Sequence, residues 1–276
     1  MIDKLNSRSV LLTVLLLSFA SAQAAGTETS PTTAVHAWAG YHLGIDLGVQ
    51  TRAANQALTV NDPQQSLSGQ GANADQAALL AGNVKSAKNI AIGGIHAGYL
   101  LQKDSLVYGV EAELMAGNCN RSASGNASLN DPTKAPFPDY SSTVSNKSCL
   151  SYLSAIKGKA GYAVGNVLVY VDAGLAFGRA RSSTVATITN TGNPPSDVWS
   201  GSSAKTMTGY IIGTGTDIAL EKNISLGLGL SHYDLGKMSY ATKPDSFTAG
   251  DQPGVDQSIS GRAKGNLVKV SLNYQY

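Results

Sequence analysis

Glu111 and Glu113, Lys157 and Lys159, and Asp172 are ionisable residues in a chain with only 14% charged residues. A spacing of two puts both members of a pair on one face of a β-strand. On neighbouring strands facing one enclosed space, the two carboxylates would meet the two ammonium groups, with Asp172 able to join them. Such a cluster suits either an ion-selective constriction or a salt-bridge network that fills the interior. The network is the favoured reading, because pairing avoids isolated charge in a tight space.

Other residues could do chemistry. His42, His96 and Asp46 share the parity of an inward face and could meet to bind a metal or haem, but satisfied polar residues are the simpler reading, so neither a metal nor a cofactor is expected. His232-Tyr-Asp234 offers an imidazole and a carboxylate as a base with its orienting group, but no serine partner is specified and catalysis is not expected. Gly69-Gln-Gly71-Ala-Asn-Ala74 superficially matches a dinucleotide loop without the buried strand that loop requires. Cys119 and Cys149 flank one long connection. A loop-clamping disulfide between them is preferred over a metal or redox pair, or two free thiols, and would contribute about 3–4 kcal/mol by loop entropy.

Strands must position these groups. Period-two alternation places eight: 38–50, 90–102, 106–117, 150–164, 167–179, 205–220, 224–235 and 266–276. In the first, Tyr41, Leu43, Ile45, Leu47 and Val49 oppose His42, Gly44, Asp46 and Gly48. In the last, Val268, Val270, Leu272, Tyr274 and Tyr276 oppose Lys269, Ser271, Asn273 and Gln275. The inner faces of strands six and seven read as mostly glycine, Gly209, Gly213, Gly215, Gly227 and Gly229, which could leave a narrow water path unless Tyr170 and Tyr233 close it. Asn73 to Lys88 reads as a short helix in the first long loop.

The connections alternate in length. Lys103-Asp104-Ser105, Gly165-Asn166 and Glu221-Lys222-Asn223 are tight turns, whereas 51–89, 118–149, 182–204 and 236–265 are long. This alternation and the apolar outer faces predict an all-β fold: an eight-stranded antiparallel up-and-down transmembrane β-barrel with short periplasmic turns and four long extracellular loops. Tyrosines of outward parity collect near the turn ends, as an interfacial girdle would.

The N-terminus fits the same compartment. Lys4 and Arg8 precede the apolar run Val10 to Ala20 and the small-residue site Ala22-Gln23-Ala24, so residues 1–24 read as a signal peptide, 25–37 as a periplasmic linker and 38–276 as the barrel. The formal charge of +2 becomes +1 once Lys4, Arg8 and Asp3 leave, which gives no electrostatic basis for nucleic-acid binding. Thirty glycines and twelve tyrosines suit strands and loops better than helices.

Trp38-Ala-Gly-Tyr41 with Gly44 and Gly48, Val107-Tyr-Gly-Val-Glu111-Ala-Glu113, Gly158-Lys-Ala-Gly-Tyr162, Tyr233-Asp-Leu-Gly236 and the terminal Tyr274-Gln-Tyr276 resemble, in order, the small porin-like outer-membrane β-barrel family. One departure is Gly227 and Gly229, where similar proteins often carry charged inner residues. The resemblance implies a structural surface-antigen role with at most limited permeability in the bacterial outer membrane. It implies outer-membrane lipid, the barrel assembly machinery and periplasmic chaperones as partners. Some similar proteins bind haem, so a haem or host ligand at the extracellular loops is the alternative, and an enzyme the least supported reading. The alternating Val268, Val270, Leu272, Tyr274 and Tyr276 resemble the C-terminal signal read during assembly.

Overall fold

In the computed structural model, the residues described are 36–61, 82–117, 122–129, 140–190, 197–246 and 256–276. The expected signal peptide therefore lies outside the described residues. Every regular element among them is a strand: β1 (Gly40–Asn61), β2 (Gly82–Lys103), β3 (Leu106–Gly117), β4 (Ser122–Leu129), β5 (Tyr140–Val164), β6 (Val167–Asn190), β7 (Asp197–Ala219), β8 (Ile224–Ser246) and β9 (Asp256–Gln275).

Antiparallel pairing joins neighbours from β1 to β3 and from β5 to β9, and β9 pairs back onto β1. The ring closes through β5, which pairs with β3 along Tyr162–Tyr152 and with β4 along Lys147–Tyr140. β3 and β4 thus pair with successive stretches of β5 and share one place in the ring, so the described strands fill eight positions. Among the described strands all but β4, which pairs with β5, have a neighbour on both sides once β9 meets β1 and β5 meets β3, the condition for a β-structure to cross lipid.

Three sequence expectations change. Seven of the strands are 20 to 25 residues long, far beyond the predicted segments, so much of what reads as loop is ladder. Apolar alternation marks only the lipid-facing belt, about 9–11 residues per strand. Beyond it outer positions such as Arg181, Ser183, Lys237 and Ser239 are polar, so the apolar outer face that marks a lipid-facing strand is lost. Residues 82–88, read as part of a helix, are the start of β2, while the rest of that segment lies outside the described residues. Trp38 does not begin the first strand; Gly40, at φ +134°, turns the chain so that Trp38 enters the interior, where it is 2% exposed.

The tight turns fall at one end, hereafter the turn end. Asp104 and Gly165 take positive φ there, as two-residue hairpins require. The outer face near this end carries exposed Tyr41, Tyr99, Tyr108, Tyr162, Tyr274 and Tyr276, and the belt above them is Leu, Ile and Val.

Candidate functional site

Among the described residues, buried charge concentrates in the barrel interior. On β3, the inward residues run from the turn end as Val107, then Glu111 and Glu113, then Met115. β5 runs as Ala163, then Lys159 and Lys157, then Ala155 and Leu153. β6 runs as Leu168 and Tyr170, then Asp172, then Ala176 and Ala180. All are buried, so a charged middle layer lies between two apolar ones.

The middle layer is continuous. Lys157 Nζ lies 2.9 Å from Glu111 Oε1, 2.5 Å from Glu113 Oε2 and 3.3 Å from Asp172 Oδ2. Lys159 Nζ lies 2.8 Å from Glu111 Oε2 and 3.8 Å from Asp217, with the Tyr170 ring centroid 4.0 Å away. The five residues singled out from sequence are thus brought together. Lys269 and Asp217 belong with them but escaped notice: Lys269 Nζ lies 2.8 Å from Glu113 Oε2 and 3.5 Å from Asp46. Inward parity on β9 and β7 was the available signal for both.

Asp46 accepts from Ser271 at 2.5 Å and lies 2.8 Å from His96 Nδ1. His42 Nε2 lies 3.4 Å from Glu111 Oε2. His42, His96 and Asp46, weighed as a possible ligand trio, do lie near one another, with Glu111 beside the two rings and Asp46 behind one of them.

Apolar layers close both ends of this network. Toward the turn end, Trp38, Leu100, Val107, Ala163, Leu168 and Tyr170 form a buried cluster. Gln275 fastens the Trp38 segment by donating from Nε2 to the carbonyls of Ala37 and Ala39 at 3.0 and 2.8 Å. Toward the other end, Met115, Leu153, Ile211, Tyr233, Leu235 and Leu267 belong to a second cluster. Gln50 Nε2 donates to the Tyr233 hydroxyl, so that ring's polar atom is satisfied inside the cluster. The inner face of β7 is accordingly not mostly glycine, since Met207 and Ile211 lie inward on it.

The inner glycines hold side chains and do not line a water path at these positions. Asp172 lies across Gly213, Asp217 across Gly227 and Lys269 across Gly229, each the direct cross-strand partner of the glycine it covers. An ideal Cβ on Gly213 would fall 2.6 Å from Asp172 Oδ1. Absence of a Cβ lets each long side chain lie flat over the neighbouring strand.

The remaining candidates separate. His232 Nδ1 pairs with Asn266 Oδ1 at 2.7 Å, whereas Asp234 accepts from Gly236 N at 2.9 Å and pairs with Arg262 at 3.0 Å. Both stay in register on β8, His232 opposite Asn266 and Asp234 opposite Lys264, and the ladder shifts only beyond Asp234, where Gly236 takes φ +89°. Cys149 is buried and disulfide-bonded, and Cys119 lies outside the described residues. Val268, Val270, Leu272, Tyr274 and Tyr276 all face outward and are exposed.

Known proteins supply the family. The family model described as outer membrane protein beta-barrel domain matches residues 57–275. The chain is 25% identical to the 31 kDa outer-membrane immunogenic protein of Brucella melitensis, over 98% of this chain and 100% of that one. Among solved structures, Neisserial surface protein A is 14% identical, covering 86% of this chain and 97% of that one at a TM-score of 0.35. The outer membrane protease OmpT from Escherichia coli is 8% identical, covering 90% and 100%, also at 0.35. With a closed ring of antiparallel strands and a family match over most of its length, the chain belongs to the outer-membrane β-barrel domain family and resides in the bacterial outer membrane.

Proposed function

We propose that this protein is a closed, non-catalytic structural barrel that presents a surface antigen and does not conduct ions. The observation that carries this reading is the layered interior. Ions crossing it would have to pass the Trp38–Leu168 cluster, a continuous buried charged layer and the Met115–Tyr233 cluster in turn. Eight-stranded barrels are only just wide enough for side chains to fill. His232 pairs with Asn266 and Asp234 with Arg262, which leaves the one catalytic candidate considered without its orienting carboxylate. The Brucella relative's name, an immunogenic protein, supports the antigen reading.

Planar-bilayer recording of refolded protein tests it. The expected result is no unitary conductance. Reproducible current steps that change size in Lys157→Ala or Lys159→Ala protein would overturn it.

A second reading, ligand binding at the extracellular side, is favoured by strand length. Strands of 20 to 25 residues exceed the belt that lipid requires, so a β-wall would stand clear of the membrane as a rigid platform. Haem titration of the refolded protein, together with replacement of residues 62–81 by a short turn, tests that reading; it predicts saturable binding that the replacement abolishes. In biogenesis, the exposed Val268, Val270, Leu272, Tyr274 and Tyr276 are the proposed face presented to the assembly machinery, with periplasmic chaperones acting earlier.

A further inference from the structure

The charged layer has an imbalance that its side chains do not resolve. Among the described residues it holds the carboxylates of Asp46, Glu111, Glu113, Asp172 and Asp217 against the ammonium groups of Lys157, Lys159 and Lys269. With neutral imidazoles, that is an excess of two negative charges in a closed interior. Burying uncompensated charge is costly.

Two imidazoles stand beside the excess. His42 from β1, His96 from β2 and Glu111 from β3 are all buried, and one ligand atom from each lies within 4.8 Å of the others. The 3.4 Å between His42 Nε2 and Glu111 Oε2 is long for a charge-assisted hydrogen bond. It matches the ligand-to-ligand edge of a tetrahedral site, which is about 3.3–3.5 Å for metal–ligand bonds near 2.0–2.1 Å.

The surroundings are those of a fixed ligand set. Asp46 takes His96 Nδ1 at 2.8 Å and is itself held by Ser271 at 2.5 Å, which leaves His96 Nε2 as the available donor. A carboxylate behind a histidine in this way orients metal-binding imidazoles. Each ring lies over a glycine that faces it across the ladder, His42 over Gly98 and His96 over Gly44. The nearest competing cation is Lys159, 2.8 Å from Glu111 Oε2. Lys159 has other partners in Asp217 and the Tyr170 ring, so it can yield that oxygen.

We propose that His42, His96 and Glu111 form a buried site for one divalent first-row cation of the Zn²⁺ type, which offsets the two-charge excess. Two imidazoles and a carboxylate suit that class of ion. Asp46 is a positioning residue for His96. The inference is independent of whether the barrel conducts or binds an outer ligand.

Because His42, His96 and Glu111 are all buried, the test supplies metal during folding. Full-length protein is refolded from urea into detergent with Co²⁺, then dialysed, and folding is verified by heat-modifiable gel mobility. The expected result is one retained Co²⁺ per folded chain with tetrahedral visible absorption, suppressed when Zn²⁺ is also present. His42→Ala and His96→Ala should lose the band, and Asp46→Asn should weaken binding by about 10–100-fold. His36→Ala and His232→Ala should keep it, the chain having four histidines in all. Should the site variants fail to fold, electron paramagnetic resonance of wild-type protein refolded with Cu²⁺ should show coupling to two nitrogens. Absence of retained metal in wild type, as expected if protonated imidazoles offset the charge, would overturn the proposal. So would retention by a folded His42→Ala/His96→Ala double variant, or coupling to fewer than two nitrogens.

Discussion

Tyr170 lies directly opposite Gly215 in the β6–β7 ladder, and its ring occupies the space that a side chain at Gly215 would fill. An ideal Cβ on that glycine would fall 2.5 Å from Tyr170 Cζ. The same ring helps seal the turn-end apolar cluster and carries Lys159 over its face. One glycine thereby supports both the seal and the charged layer.

Gly215→Val should therefore displace Tyr170 and destabilise the barrel by about 1–3 kcal/mol, the usual cost of overpacking. Gly158→Ala is the control, because Gly158 faces outward and an added Cβ would meet only the Ala173 carbonyl oxygen at 3.9 Å. Thermal melting in detergent should separate the two variants clearly. Equal melting points would mean that Tyr170 has room to move.

Lys157 is fully buried among three carboxylates, so Lys157→Ala leaves them without their shared counter-ion. Breaking a buried pair costs about 3–5 kcal/mol. The loss of stability should greatly exceed that of the lipid-facing change Ala160→Gly. A negligible effect would show that water reaches these charges and would count against a sealed interior.

Deleting Tyr276 should leave export across the inner membrane intact but reduce the heat-modifiable, protease-resistant form in the outer membrane. Its backbone N–H donates to the Tyr41 carbonyl at 2.9 Å, and its ring packs against Tyr274 with centroids 4.9 Å apart. Fractionation and gel shift measure the outcome. Wild-type accumulation of the truncated protein would remove the assembly-signal reading.

Non-reducing mass spectrometry should find Cys149 joined to Cys119. After reduction the barrel should keep its gel shift, because ladders to β3, β4 and β6 hold β5 in the wall without the bridge. Two free thiols in protein isolated from membranes would refute the pairing.

The lipid belt was legible from sequence because a single physical rule, apolar outside and alternating, governs it. The inward positions of Glu111, Glu113, Lys157, Lys159 and Asp172 followed from the same parity. The hairpin of β6 and β7 through residues 182–204 was not legible, since Ser182, Ser183 and Thr184 give no apolar contrast between faces. The apolar end clusters were hidden for a different reason. Met115, Ile211 and Leu267 have inward parity, but a rule that expects polar residues inside passes over them. Seating of side chains on glycines depends on cross-strand register, which no single strand's periodicity contains. The route of Trp38 turned on one residue, Gly40, whose positive φ ends the pattern before it begins.

Gln275 joins the β9 end of the described barrel to the Ala37–Ala39 segment, and β9 itself pairs with β1. The described polypeptide is thus nearly a circle. A circular permutant that links the natural ends and opens between β6 and β7, at 191–196, would preserve every ladder pairing while burying the terminal aromatic within a continuous chain. Folding in micelles and insertion in cells would then become separable properties, the first governed by the ring and the second by where the chain is cut.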